Sequence, residues 1–240
     1  FCDRGVFCGT GDVSPEHFSK LGCALAKVMS DMDKYKNECV SVGVMTDGKT
    51  YSCVVGELFR AGLRATGADV YDLGEGDEAL VTFCAISVVQ SITAYVYSSS
   101  DSTLIKLIDE RGFTVSRKFE NRLEKVFKAD KEFEKPSYIS ESGKVSSCQT
   151  LYYASLINSV RDIKNSLSNF KCCICEKEDS QRQSHIFLKR ALAQYGAEVC
   201  EKETDKCVCI YLSPDGTNLY VRQGDDEADM FHVGAILLNN

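Results

Sequence analysis

The chain has 240 residues, a formal net charge of −7 and 44% hydrophobic residues, a composition typical of a globular protein with a sizeable core. The negative charge disfavours a broad attraction to nucleic acid or to an anionic membrane surface. No apolar run approaches the roughly 18 residues that a membrane-spanning helix needs. We therefore expect neither nucleic acid nor a membrane among its partners.

Thirteen cysteines are many for a chain of this length. Several lie within apolar runs, such as V-T-F-C-A-I from Val81 and F-K-C-C-I-C from Phe170, where a free thiol behaves as a small buried hydrophobe. Disulfide scaffolds are usually much shorter chains. The pattern indicates a reduced protein and a cytoplasmic location.

Some of these cysteines can also be interpreted as a thiolate zinc cluster. The candidates are Cys172, Cys173, Cys175, Cys207 and Cys209. Because side chains alternate along a strand, Cys173 and Cys175 would share one strand face, and the last two candidates would share another. Zinc loops usually space their ligands as C-x₂₋₄-C on turns, so we prefer buried core cysteines to zinc ligands.

The first half of the chain alternates helical patterns with short apolar runs. Ser14 and Pro15 are typical of a helix start, and apolar residues at helical spacing continue this helix to Val28. The predicted elements that follow are a strand at 40–45, a helix at 52–66, a strand at 68–74, a helix at 79–87, a strand at 91–97, a polar loop at 98–103, a strand at 104–108 and a helix at 115–127.

A charged segment at 128–144, which contains Pro136, is the best candidate linker. Beyond it the alternation of helices and strands is repeated. The predicted elements are helices at 151–167, 184–195 and 230–238 and strands at 171–175, 197–200, 207–211 and 218–221. Strands joined by helices predict an α/β protein with two doubly wound or mixed-sheet domains.

Residues 91–107 have the sequence S-I-T-A-Y-V-Y-S-S-S-D-S-T-L-I-K-L. This segment resembles the active-site segment of the α-D-phosphohexomutases, roughly I-T/S-A-S-H-N-P-x-x-D-N-G-I-K. The I-T-A frame and Asp101 are kept. Tyr95 stands at the position of the family's phosphorylated serine, Val96 at its histidine and Tyr97 at its asparagine. The resemblance implies a family member that has kept the scaffold and lost the nucleophile.

Motifs elsewhere extend the resemblance to most of the chain. They are F-C-D-R-G-V from Phe1, V-S-P-E from Val13, V-M-T-D-G-K from Val44, A-G-L from Ala61 and Q-Y-G-A-E-V from Gln194. The phosphoglucosamine mutases look like the closest branch, and the phosphomannomutase/phosphoglucomutase branches stay open. The resemblance covers only the family's first two domains and implies two tandem α/β/α domains with mixed, largely parallel sheets, at 1–135 and 136–240. The chain ends inside an apparent helix, so we expect the second domain to be truncated at its C-terminus.

The resemblance also identifies the family's metal loop. A phosphohexomutase carries a phosphoryl group on serine near Mg²⁺ and shuttles it between two hydroxyls of a sugar. The family's loop D-G-D-x-D-R aligns with S-P-D-G-T-N from Ser213, in which only the carboxylate of Asp215 is left. One carboxylate is a poor site for a cation that prefers several oxygen ligands. We therefore expect no cofactor, with Mg²⁺ at Asp215 only if mutase activity is retained.

Hydroxyl groups beside the lost nucleophile offer a weaker alternative. Ser98, Ser99 and Ser100 could present a hydroxyl from the predicted loop. A solvated serine-rich loop is the preferred interpretation.

Three cations could keep some affinity for an anion such as a sugar phosphate. Lys106 resembles the family's lysine near the phosphoserine, and Arg4 and Lys49 could join it. Solvated surface cations are the simpler interpretation. Asp47 aligns with a family aspartate, and we expect it to cap the turn at residues 48–50.

Two functional hypotheses follow. The first is a non-catalytic phosphohexomutase homologue that binds a sugar phosphate or a protein partner. The second is an active sugar-phosphate mutase with unusual active-site residues, completed by further domains or by another chain.

Overall fold

The computed structural model of the protein describes residues 5–9, 15–32, 34, 39–88, 91–99, 102–129, 133, 142–145, 147–159, 167–175, 182–204, 206–212, 219–224 and 226–229. These residues form a mixed α/β structure, as the sequence predicts. The chain divides into two compact units, Phe1–Gly76 with Leu80–Gln149 and Asp77–Ala79 with Thr150–Asn240. The division falls after Gln149, whereas the boundary between residues 135 and 136 stays a prediction.

A six-stranded sheet forms the centre of the first unit. Its strands are β1 (Val6–Gly9), β2 (Ser41–Thr46), β3 (Asp69–Glu75), β4 (Ile92–Ser99), β5 (Ser102–Asp109) and β6 (Ser142–Lys144). Their order in the sheet is β1-β5-β4-β2-β3-β6. The four strands β4, β2, β3 and β6 are parallel, and β5 runs antiparallel to both β4 and β1. Parallel strands are joined by helical crossovers, as the alternating sequence pattern requires.

The helices that accompany this sheet are α1 (Pro15–Ser30), α2 (Thr50–Ala65), α3 (Glu78–Ser87), whose first two residues belong to the second unit, and α4 (Arg117–Lys128). One buried cluster joins apolar residues of α1, α2 and α4 to those of the sheet. Helices α1 and α2 approach each other backbone to backbone, because a Cβ at Gly62 would lie 1.9 Å from the carbonyl oxygen of Ser19, and one at Gly22 would lie 2.3 Å from that of Phe59. Glycine is required at both crossing positions.

Two expectations for the first unit are wrong. The polar loop predicted at 98–103 is largely strand, because β4 and β5 form an antiparallel hairpin in which Ser98 pairs with Thr103 and Ser99 with Ser102. The predicted linker contains β6, which adds a parallel edge strand beside β3. In both places the residues are polar, so no apolar alternation marked a strand.

A five-stranded sheet forms the centre of the second unit. Its strands are β7 (Lys171–Cys175), β8 (Glu198–Cys200), β9 (Val208–Leu212), β10 (Leu219–Gln223) and β11 (Asp226–Asp229). The order is β11-β10-β9-β7-β8, with β7 parallel to β8 and β9 and with antiparallel pairs at the other edge. Its helices are α5 (Cys148–Ser159), which starts in the first unit, and α6 (Arg182–Gln194). The helix predicted at 230–238 lies outside the described residues.

Candidate functional site at the carboxyl ends of β2 and β4

The carboxyl ends of the parallel neighbours β2 and β4 meet at one edge of the first sheet. The backbone N–H of Asp47, which follows β2, donates to the carbonyl oxygen of Val96 in β4 at 3.0 Å. Helix α2 begins three residues later, at Thr50. In open α/β sheets ligands bind outside the carboxyl ends of the strands, so this edge is where a site is expected.

The carboxylate of Asp47 connects the two strand ends. Its Oδ1 accepts from the backbone N–H of Lys49 at 3.0 Å, and its Oδ2 accepts from the backbone N–H of Ser98 at 2.8 Å. The first bond is the turn cap that the sequence predicts. The second was not predicted, because it joins residues 51 positions apart. Both oxygens are occupied by backbone donors, so this single carboxylate does not fit the several oxygen ligands that Mg²⁺ prefers.

Hydroxyl and ammonium groups complete the arrangement. The hydroxyls of Ser98 and Ser52 lie 2.6 Å apart, and the Lys49 ammonium lies 3.4 Å from the carbonyl oxygen of Ser98. Lys49 is exposed and is the N-cap residue of α2, to which its side chain contributes no capping hydrogen bond. We call Asp47, Lys49, Ser52 and Ser98 the Ser98 cluster. It combines a cation, two hydroxyls and a helix start, which are groups that bind anions.

Tyr95, which the sequence resemblance aligns with the family's phosphorylated serine, is only 4% exposed. Its hydroxyl donates to the carbonyl oxygen of Gly76 at 3.1 Å. Its ring stacks on that of Tyr97, with centroids 5.0 Å apart and planes 13° apart. The phenol is therefore directed into the packed interior and bonded there.

The remaining sequence-predicted site residues are dispersed. Lys106 lies in β5 opposite Tyr95, so the two share a sheet face, whereas Ser98 is an odd number of positions from Tyr95 and points to the other face. The side chains of Lys106 and Ser98 therefore lie on opposite faces of the sheet. Ser99 ends β4, and nothing is described of its side chain. Arg4, Ser100 and Asp215 lie outside the described residues.

A second polar cleft in this unit contains three cations and two carboxylates. It has a volume of about 340 Å³ and is lined by Glu57, Arg60, Arg64, Asp72 and Lys144, among others. The Arg60 guanidinium forms ion pairs with Glu57 at 2.7 Å and Asp72 at 3.0 Å. The Ser98 cluster stays the preferred candidate for an anion because it lies at the carboxyl ends of two parallel strands and at a helix start.

Comparison with known proteins agrees with this fold. Residues 4–134, more than half of the chain, match the family model described as phosphoglucomutase/phosphomannomutase, alpha/beta/alpha domain I. The chain belongs to the phosphoglucomutase/phosphomannomutase family. A search of curated proteins finds no match.

Solved structures with this fold come from several organisms. A protein from Thermus thermophilus assigned as a phosphomannomutase superposes with a TM-score of 0.70 at 12% identity, over 93% of this chain and 56% of the other. A phosphoglucomutase/phosphomannomutase family protein from Burkholderia thailandensis gives 0.70 at 16%, over 99% and 58%. The open form of the Paramecium phosphoglucomutase parafusin gives 0.59 at 9%, over 91% and 54%. The chain thus spans little more than half the length of these proteins.

No helix among the described residues is long and apolar enough to cross a membrane.

Proposed function

We propose that this chain is a non-catalytic phosphohexomutase homologue, nearest to the phosphoglucosamine mutases, that binds a sugar phosphate at the Ser98 cluster. The proposal includes the reduced, cytoplasmic setting that the cysteine pattern predicts. The observation that carries it is the burial of Tyr95 with its hydroxyl bonded to Gly76.

The family reaction needs a hydroxyl that accepts and returns a phosphoryl group, with positive charge beside the moving phosphate. Tyr95 cannot take that role while its phenol donates into the interior. Ser98 offers a hydroxyl, but its described partner is the Ser52 hydroxyl, and the Asp47 carboxylate contacts the Ser98 backbone N–H rather than its hydroxyl. A hydroxyl paired with another hydroxyl lacks the adjacent base that activates a nucleophile.

Binding an anion places fewer chemical demands on a site than phosphoryl transfer does, and in this proposal the Ser98 cluster meets them. The exposed ammonium of Lys49 stands at the start of α2, where the first backbone N–H groups have no partner within the helix. A phosphate accepts from such groups and is attracted by both the ammonium and the helix dipole. A sugar phosphate is therefore favoured over a protein partner as the ligand.

Isothermal titration of the protein with glucosamine, glucose and mannose phosphates tests this proposal. Replacing Lys49 by alanine should weaken binding by about 10- to 150-fold, because a hydrogen bond to a charged group contributes about 1.5–3 kcal/mol. Lys118→Ala, an equally exposed lysine on α4, is the matched control and should bind as the unaltered protein does. If none of the three sugar phosphates binds, the proposal is contradicted and a protein partner is left as the alternative.

An active mutase with unusual residues is the second hypothesis. It requires a replacement nucleophile, and Ser98 is the candidate, because its carbonyl oxygen accepts from Lys49 and its hydroxyl lies beside that of Ser52. If turnover is found and Ser98→Ala abolishes it while sugar-phosphate binding is kept, the second hypothesis replaces the first.

A further inference from the structure

Cysteines gather on one face of the second sheet. Cys173 in β7 is paired with Cys200 in β8 on one side and with Cys209 in β9 on the other. Residues opposite each other in a parallel pair point to the same face, and so does Cys175, two positions beyond Cys173. Three neighbouring strands therefore carry thiols on one face.

The other face of these strands is an ordinary hydrophobic core. Cys172 is fully buried there with Ile174 and Ile210, packed against Leu188 and Leu192 of α6. Cys172, one of the five candidate zinc ligands named from the sequence, is thus a core residue. Cys173, Cys207 and Cys209 are buried too, as predicted, but they lie on the opposite face, where Cys175 is only half-buried.

Two thiols on the cysteine-rich face converge with a carboxylate. The sulfur atoms of Cys175 and Cys209 and a carboxylate oxygen of Glu203 all lie within 4.8 Å of one another. Cys173 lies on the same face, two positions before Cys175 and paired with Cys209. In a tetrahedral site with Zn–S bonds of about 2.3 Å the sulfurs stand roughly 3.8 Å apart. The observed spacing therefore needs a contraction of about 1 Å or less.

The converging groups have hydrogen-bonding partners of their own. Arg222 donates to Oε1 of Glu203 at 2.6 Å, with its guanidinium carbon 5.4 Å from the centre of the Tyr211 ring. Tyr211 in β9 is paired with Cys175 in β7 and so lies beside it on the same face. Metal ligands in proteins are characteristically oriented by such outer partners.

We propose that Cys175, Cys209 and Glu203 form a binding site for a thiophilic divalent cation of the zinc class. Thiolate ligands select zinc over magnesium and calcium, which prefer oxygen, and two thiolates with one carboxylate match a zinc site that has three protein ligands and an open fourth position. The proposal uses other residues than Asp215, and it does not depend on sugar-phosphate binding.

The test is metal binding by the whole protein, purified under reducing conditions and stripped of metal. Zn²⁺ is titrated in competition with a chromophoric chelator, and Co²⁺ serves as the spectroscopic probe. The proposal predicts one Zn²⁺ per chain and a Co²⁺ spectrum with a sulfur-to-metal charge-transfer band and tetrahedral ligand-field bands. An octahedral Co²⁺ spectrum without the charge-transfer band would overturn it.

Matched variants assign the ligands. Glu203→Gln should weaken Zn²⁺ binding by at least about tenfold, the lower end of the effect found even for outer-shell partners, whereas Glu201→Gln should not change it. Both carboxylates are exposed, so neither change threatens folding. Cys175→Ser should remove the charge-transfer intensity in part, and Cys39→Ser, an exposed cysteine of the first unit, should leave it intact.

A competing thiol pair makes the assignment falsifiable. The sulfurs of Cys200 and Cys207 lie 3.3 Å apart within the second unit. If Cys207→Ser abolishes Zn²⁺ binding while Glu203→Gln and Cys175→Ser do not, the assigned ligands are wrong. Equal losses in a variant and its control would also overturn the assignment.

Discussion

Replacing Tyr95 by phenylalanine separates a structural role of this residue from a chemical one. The change removes only the hydroxyl, so the stacking on Tyr97 is kept and the donor to the Gly76 carbonyl is lost. A buried hydrogen bond contributes about 0.5–1.5 kcal/mol net, and an unsatisfied buried partner costs about 1–3 kcal/mol. We expect a loss of about 1–2 kcal/mol in the free energy of unfolding, which lowers the melting temperature by about 3–6 °C.

Urea unfolding followed by far-ultraviolet circular dichroism measures this change, since the chain contains no tryptophan. Tyr51→Phe is the matched control, because Tyr51 is 55% exposed and surface changes usually stay within about 0.5 kcal/mol. Sugar-phosphate affinity should be unaltered in both variants. Unchanged stability of Tyr95→Phe together with loss of ligand binding or turnover would refute the structural role and make the phenol a functional group.

Two further changes test the fold. Gly62→Ala should cost about 3 kcal/mol or more, since its Cβ would meet the Ser19 carbonyl and force α1 and α2 apart; an unchanged thermal midpoint would mean that the helices are not in this contact. Burial of the Asp109 carboxyl raises its pKa, but hydrogen bonds from Arg111 and Phe113 outweigh this effect, so the pKa of Asp109 is lowered. Asp109→Asn should therefore lower the free energy of unfolding by about 0.5–1 kcal/mol at neutral pH. The difference in stability between the variant and the unaltered protein should vanish as the pH falls below about 4 and then below the lowered pKa of Asp109. A difference that persists at acid pH would contradict this.

Apolar periodicity predicted most of the fold, because burial decides both the pattern and the structure. The helix that begins at Pro15 and the strand from Ser41 to Thr46 are found where the spacing of apolar residues places them. The strand ends at Ser98 and Ser99 were missed, since both sides of the hairpin turn are polar and the Ser98 hydroxyl meets that of Ser52, 46 positions away. Polar residues that pair only through tertiary contacts leave no local periodic signal.

The candidate site was predicted in part. The motif resemblance indicated the position of Tyr95 and the turn cap by Asp47, and the alternation rule placed Cys173 and Cys175 on one face. The buried phenol donates to Gly76, which is 19 residues away in the sequence. The thiols of Cys175 and Cys209 approach Glu203, which lies outside the strands that carry them. Such encounters depend on sheet order and register, which sequence spacing alone does not specify.

A coupled mutase assay of the protein with glucosamine, glucose and mannose phosphates and Mg²⁺ tests the central claim most directly. The account predicts sugar-phosphate binding without turnover above background, in a protein whose circular dichroism shows it to be folded. Turnover that is lost on chelation of the metal would contradict it, because the phosphoryl carrier would then have been rebuilt from residues other than a buried Tyr95.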